Sequence, residues 1–366
     1  MAKAPIEDRN TLLACYAVYL ILGNTIRSLR IKHATLRGYM TAAIGLFLLR
    51  DLPDPTEPTF LREADQVGPL LKAVKAFETV KNRKEMITDS MVSTMLKSTL
   101  LSAPTSLEAS LLDWILLGRF TGFRRSEWCQ DGPGIEMTEP SVAQDVPQPR
   151  AFLADDFIFY DAAGQRIYNL SADHEHIVDC VKIRWRFQKN KDNGQIIPYK
   201  RDHKRPQVCP VLAAYRIIRR ASALGIPPHV PVAAYASTSS PGGYSLIRAS
   251  QVVKFIRRAA QVTFNLKATD SALKAWTCHS IRVTAANILH RANMSDSYIQ
   301  TRLRWKSNTF LMYLRNTFYS ADQHTKAMDI SNANLPLLPT SDGKRYRPLE
   351  PHEQVYSAQL AVAATA

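Results

Sequence analysis

The chain has 366 residues, with 47 Lys and Arg against 32 Asp and Glu, a formal charge of +15, 46% hydrophobic and 22% charged residues. Such a length predicts two domains, and such a composition is that of a soluble globular protein, with no apolar run near the roughly 18 residues of a membrane span. The charge surplus favours a polyanionic partner, and the opening MAKAPIEDRN indicates neither a secretory nor a transit leader, so an intracellular protein is expected.

The N-terminal third reads as helices. TLLACYAVYLILG, TLRGYMTAAIGLFLL and PLLKAVKAFETVKNR carry apolar residues at helical spacing, and the three prolines of DLPDPTEPT (51–59) place a loop between them. Residues 1–82 are therefore expected to form a helical unit, and 83–89 a short charged connector. Thr88 or Asp89 caps the next helix, DSMVSTMLKSTLL, which is followed by LEASLLDWILLGRFTGF. Proline, glycine and acids mark a loop from Gln130 to about Pro149. In VKIRWRFQ (181–188), Val181, Ile183, Trp185 and Phe187 alternate with Lys182, Arg184, Arg186 and Gln188, the period of a half-buried strand with one basic face. KDNG turns the chain and QIIPYK returns as the second strand of a hairpin, with Pro198 assigning it to an edge. Helices follow in PVLAAYRIIRRASALG, SQVVKFIRRAAQV and the block from Ala275 to Thr317. The chain is thus mainly α with a small β-sheet or hairpin.

Basic charge gathers in three segments. Arg27, Arg30, Lys32, Arg37 and Arg50 stand in an acid-free stretch, nine bases from Lys182 to Arg205 face only Asp192 and Asp202, and six bases from Arg282 to Arg315 accompany Asp296 alone. Separated basic segments suit a long contact track on a nucleic acid. Cys15, Cys129, Cys180, Cys209 and Cys278 are scattered and never two residues apart, as free thiols would be. HEH (174–176) with Cys180 matches no zinc spacing and the SPGG loop lacks the Lys-Ser/Thr of a phosphate cradle, so neither a metal nor another cofactor is expected.

Three motifs remain. TGFRRSEW (121–128) sets Arg124 and Glu127 three apart at the start of an expected helix; HSIR (279–282) does the same with His279 and Arg282; LRWKSNTFLMYLRN (303–316) sets Tyr313 eight residues after Trp305. Singly, each reads as an ion pair, an exposed polar face or a packed aromatic. Their order is more telling. Arg with Glu, a basic hairpin, His-x-x-Arg, Trp and then Tyr resembles the tyrosine recombinases, the family of phage-type integrases and Cre-like enzymes, across about 85–320. TLRGYMTAA resembles, more weakly, the family's DNA clamp. Trp305 stands where most members carry His, and the step to Tyr313 is eight residues where nine is usual. FQKNKDNGQ and RWKSNTFLMYLR resemble recombinases of eukaryotic mobile elements, the DIRS and Crypton groups.

The resemblance implies a helical clamp domain (1–82), a linker (83–89), a mixed α+β catalytic domain (90–328) and a tail (329–366) available for protomer contact. It implies cleavage and rejoining of double-stranded DNA through a 3′-phosphotyrosine and a Holliday junction, by a homotetramer on two DNA sites with a dimer on each. Tyr313 is the implied nucleophile. Arg124 and Arg282 would fork onto the phosphate oxygens, His279 would relay the proton, and Trp305 would donate its indole N–H. The leaving-oxygen acid is a hairpin lysine, Lys189 or alternatively Lys191, and Glu127 would orient Arg124. Arg27, Arg30, Lys32, Arg37, Lys182, Arg184, Arg186, Arg304 and Lys306 are the expected DNA contacts. An intracellular, DNA-associated protein follows, in the nucleus of a eukaryotic host and otherwise in the cytoplasm or nucleoid. Rival readings are a type IB topoisomerase or telomere resolvase, a catalytically idle DNA-binding protein of the same fold, and an RNA-binding protein.

Overall fold

Apolar residues at three- and four-residue intervals fold as α1 (Ile6–Ile21), α2 (His33–Leu48) and α3 (Val67–Ala76), which bury Leu13, Ala17, Leu20, Leu36, Met40 and Val67 in one cluster. The structure is a computed structural model describing residues 6–23, 31–56, 66–76, 83–132, 134–138, 147–188, 193–305, 310–311 and 314. Asn10, itself buried, pins the proline-rich loop, since its amide donates to the Pro55 carbonyl at 2.9 Å and its oxygen accepts from the Gln66 N–H at 2.9 Å. Lys32 and Arg37 are exposed at the start of α2. Arg27 and Arg30 lie outside the described residues.

The larger core begins with α4 (Asp89–Thr99), where Thr88 accepts from the Met91 N–H at 3.2 Å and so supplies the cap. Ser106 caps α5 (Leu107–Thr121) in the same way. α5 is apolar on nearly every side and is accordingly the central helix. Its Trp114 stacks on Trp128 at 5.1 Å and on Phe152 at 6.2 Å. Strands β1 (Phe157–Asp161), β2 (Arg166–Ile167), β3 (Val178–Trp185) and β4 (Gln195–Lys200) form an antiparallel sheet in the order β2-β1-β3-β4. β4 lies at the edge, where Pro198 can sit opposite Lys182 without breaking a ladder on both sides. α6 (Pro210–Ala223), the small hairpin β5 (Ala234–Ala236) and β6 (Tyr244–Leu246), and α7 (Ala249–Phe264) follow. α8 (His279–Arg291) and α9 (Asp296–Leu303) complete the described elements.

Two expectations need correcting in detail. The basic strand stops at Trp185 rather than running to Gln188, and the TSSPGG loop turns a three-residue hairpin too short to leave a periodic signal. No disulfide joins the five cysteines. Among the described residues no helix is long and apolar enough to cross a membrane, and no group of three metal-ligating side chains could hold an ion.

Candidate active site

Gly122 ends α5 in the left-handed region at φ 55, a conformation glycine takes without penalty, and this turn brings the first box back toward the core. The sequence predicts a helix start at 121–128; the structure has a single 3₁₀ turn, Arg125–Glu127. The reason is Glu127. Its buried carboxylate accepts from the Arg124 backbone N–H at 2.7 Å and from Arg124 Nη1 at 2.9 Å, which closes a hydrogen-bonded turn across three residues. Arg124 is thereby fixed at both ends of its side chain while staying 24% exposed.

The second and third boxes meet the first through two arginines. Arg282, buried on α8, donates from Nη1 to the Gly122 carbonyl at 2.5 Å and from Nη2 to the Leu303 carbonyl at 3.1 Å. Its guanidinium carbon lies 4.3 Å from the centroid of Trp305, which stacks on Phe310 at 5.6 Å. Arg304 donates from Nη1 to the Thr121 carbonyl at 3.0 Å and from Nη2 to Glu127 Oε2 at 3.2 Å, and lies 4.0 Å over Trp185 of β3. His279 opens α8, its backbone N–H donating to Thr277 Oγ1 at 3.3 Å. Chain segments more than 150 residues apart are therefore sewn together by backbone carbonyls and one carboxylate.

An open groove of about 1340 Å³ runs over this junction, and Arg124, His279, Arg282 and Trp305 all line it. Ser250, Lys254, Arg257 and Gln261 of α7 also line it, as does Lys274. Among the described residues Asp270 is the only carboxylate on the lining. So strong a positive lining suits a phosphate-rich ligand. Lys254, Arg257 and Lys274 escape the sequence reading, although the spacing of 250, 254, 257 and 261 in SQVVKFIRRAAQV already places one polar face on a helix.

Several expected DNA contacts are otherwise engaged. Arg304, expected as a DNA contact, borders the groove, but its side chain is 0% exposed and bound to Glu127. Arg184 and Arg186 share the fully buried Asp156: Arg184 Nε donates at 3.0 Å, Arg186 Nε at 3.1 Å and Arg186 Nη2 at 3.2 Å. The basic face of β3 is thus partly neutralised from within, because a buried carboxylate needs cations more than the surface does. Lys182 lies 4.5 Å over the Tyr160 ring. Lys189, Lys191, Lys306 and Tyr313 lie outside the described residues.

Burial shapes the titration of the groups beneath the groove. Tyr199 of β4 is pushed up to about 12 by desolvation, against the pull of Arg304 and Arg302. Desolvation lowers Arg304, with Glu127 opposing it. The neighbouring Cys278 thiol and burial raise Cys129, and the neighbouring Cys129 lowers Cys278.

No protein-family model and no curated protein matches the chain. Solved structures do. The chain is similar to XerH site-specific recombinase bound to a palindromic difH substrate in a post-cleavage complex, at 14% identity over 88% of this chain and 72% of that one, TM-score 0.47. It is similar to a lambda integrase dimer bound to a COC′ core site, at 14% identity over 95% of this chain and 86% of that one, TM-score 0.39. The Tn1549 transposon integrase in complex with circular intermediate DNA matches at 15% identity over 88% of this chain and 86% of that one, TM-score 0.41. By description these neighbours are site-specific recombinases and integrases.

Proposed function

We propose that the chain is a tyrosine-type site-specific DNA recombinase. The observation that carries this reading is the convergence of Arg124, His279, Arg282 and Trp305, from boxes scattered along the chain, on one cationic groove. Tyr313, which belongs to the third box in sequence, attacks the scissile phosphate and holds the DNA as a 3′-phosphotyrosine. The phosphodiester's energy is conserved in that bond, so a free 5′-hydroxyl can reverse the step on the same or another strand.

The added charge of the pentacoordinate phosphate falls to Arg124 and Arg282, whose planar guanidiniums suit paired oxygens better than an ammonium would. His279 relays the proton of the phenol, and a hairpin lysine, Lys189 or Lys191, protonates the departing 5′-oxygen. Trp305 has only a donor N–H and cannot act as a base. Residues 1–82 clamp the duplex, 83–89 link the clamp to the catalytic domain of 90–328, and the tail joins protomers in a tetramer on two duplexes.

The experiment is covalent trapping on a pool of nicked duplexes with randomised cores. Wild-type protein is expected to form a protease-sensitive DNA adduct, and Tyr313→Phe none, with mass spectrometry placing the bond on Tyr313. A pool that yields no adduct points instead to an idle DNA-binding protein. Relaxation of supercoiled plasmid without strand exchange between paired selected sites points to a topoisomerase.

A further inference from the structure

Arg304 stands where a helix end favours glycine. It closes α9 in the left-handed region, at φ 59 and ψ 50, with its backbone N–H on the carbonyls of Gln300 and Thr301. A long side chain is disfavoured in that conformation, and a strained residue persists where its surroundings over-determine it. Here the side chain supplies the determination. Its guanidinium is removed from water altogether, bonded to Thr121 and Glu127 and stacked on Trp185, while Nε has no hydrogen-bond partner among the described residues. A wholly buried cation is a poor way to cap a helix, since desolvation opposes it. It is a good way to fix three distant segments, because a planar guanidinium can fork and stack at once.

The connections lead to the groove. Glu127 Oε2 accepts from Arg304 Nη2, from the Arg124 N–H and, at 3.4 Å, from Trp185 Nε1, while Glu127 Oε1 holds Arg124 Nη1. Trp185 is the last residue of β3, four positions before Lys189 in sequence. We propose that Arg304 is a positioning residue of the strand-cleavage site: through Glu127 it sets the pose of Arg124, and through Trp185 it holds the strand that leads to the hairpin lysines. The inference rests on the recombinase reading and deepens it. Arg304 itself touches no DNA.

The test compares wild type with Arg304→Gly, which can keep the capping backbone, and Arg304→Lys, which keeps the charge but cannot fork or stack. A duplex selected from the randomised pool serves as substrate. Both variants are expected to form the covalent adduct about tenfold more slowly or worse at saturating DNA, since a small misplacement of a reacting group is costly. DNA affinity should stay within about twofold and the slope of log affinity on log salt should not change, because no phosphate contact is lost. Millimolar guanidinium chloride, against matched sodium chloride, should raise adduct formation by Arg304→Gly and leave Arg304→Lys unaltered.

Weaker binding with a salt slope shallower by about 0.9 and an unchanged rate at saturation would make Arg304 a DNA contact and overturn the proposal. Wild-type adduct rates in both variants would overturn it too, with the recombinase reading intact. If Arg304→Gly melts below the assay temperature, Arg304→Lys decides alone. A wild-type protein that forms no adduct removes the recombinase reading and this inference together.

Discussion

Arg282 rests over Trp305, guanidinium carbon to ring centroid 4.3 Å, so the residue expected to donate an N–H also serves as a platform for an arginine of another box. A cation over an indole face contributes between about 0.5 and 2 kcal/mol, more as water is excluded. Trp305→Phe keeps a smaller ring face and Trp305→Ala keeps none. The expected stability losses are under about 1 kcal/mol for Phe and about 2–3 kcal/mol for Ala, where the stack on Phe310 is also lost. Urea unfolding distinguishes them; equal losses would show that the ring face does not support Arg282.

Arg124 and Arg304 share the carboxylate of Glu127, which is 4% exposed. Removing one partner of a buried pair strands the other charge, at a cost of about 3–5 kcal/mol. Glu127→Ala should lose that much, and Arg304→Ala a comparable amount. The double variant should lose clearly less than the sum, because the second removal strands nothing further. A denaturant double-mutant cycle measures the coupling. Additive losses would mean that the 3.2 Å contact carries no interaction energy.

Much of the helical framework was legible because its cause is local. The cap at Thr88, the alternation from Val181 to Trp185 and the edge position of Pro198 all follow from neighbours within a few residues. The three boxes were legible as motifs, and four of their candidate catalytic residues line one groove. What the sequence hid is which cations face inward. Arg304 turns toward Glu127 across 177 residues, and Arg184 and Arg186 turn toward Asp156 across 28 and 30. A run of basic residues looks the same in sequence whether its partner is a phosphate or a carboxylate elsewhere in the chain. The 3₁₀ turn at Arg125–Glu127 was hidden likewise, since the Glu127 carboxylate replaces the helical bonds that the residue spacing alone suggests.

Gly122 should tolerate no side chain. A Cβ there would stand 2.9 Å from Leu303 Cδ2 and 3.2 Å from Ala285 Cβ, on a backbone already at φ 55. The same residue's carbonyl accepts from Arg282, and Leu303 precedes Arg304, so displacement at this point disturbs both arginine junctions. Gly122→Ala is expected to cost about 2–4 kcal/mol from backbone strain and crowding combined. It should abolish adduct formation even where the protein stays folded. A melting curve with a trapping assay checks both, and a variant with wild-type cleavage would refute the close approach of the boxes.

Tyr199 gives a pH dependence whose sign can be worked out. Burial holds its phenol neutral, with a pKa near 12, whereas in the unfolded chain it ionises near 10. Below about pH 10 the phenol is protonated in both states, so its contribution to stability is constant. From there to about pH 12 the unfolded state gives up the proton first, so stability falls as pH rises, by about 2–3 kcal/mol for this residue. The hydroxyl has no hydrogen-bond partner among the described residues. Tyr199→Phe should therefore be as stable as wild type at neutral pH, or more stable by about 1 kcal/mol, while keeping the ring beneath Arg302 at 4.7 Å. Its urea midpoint should fall less steeply than the wild type's between pH 10 and 12. Parallel curves for the two proteins would show that Tyr199 ionises as readily in the fold as out of it.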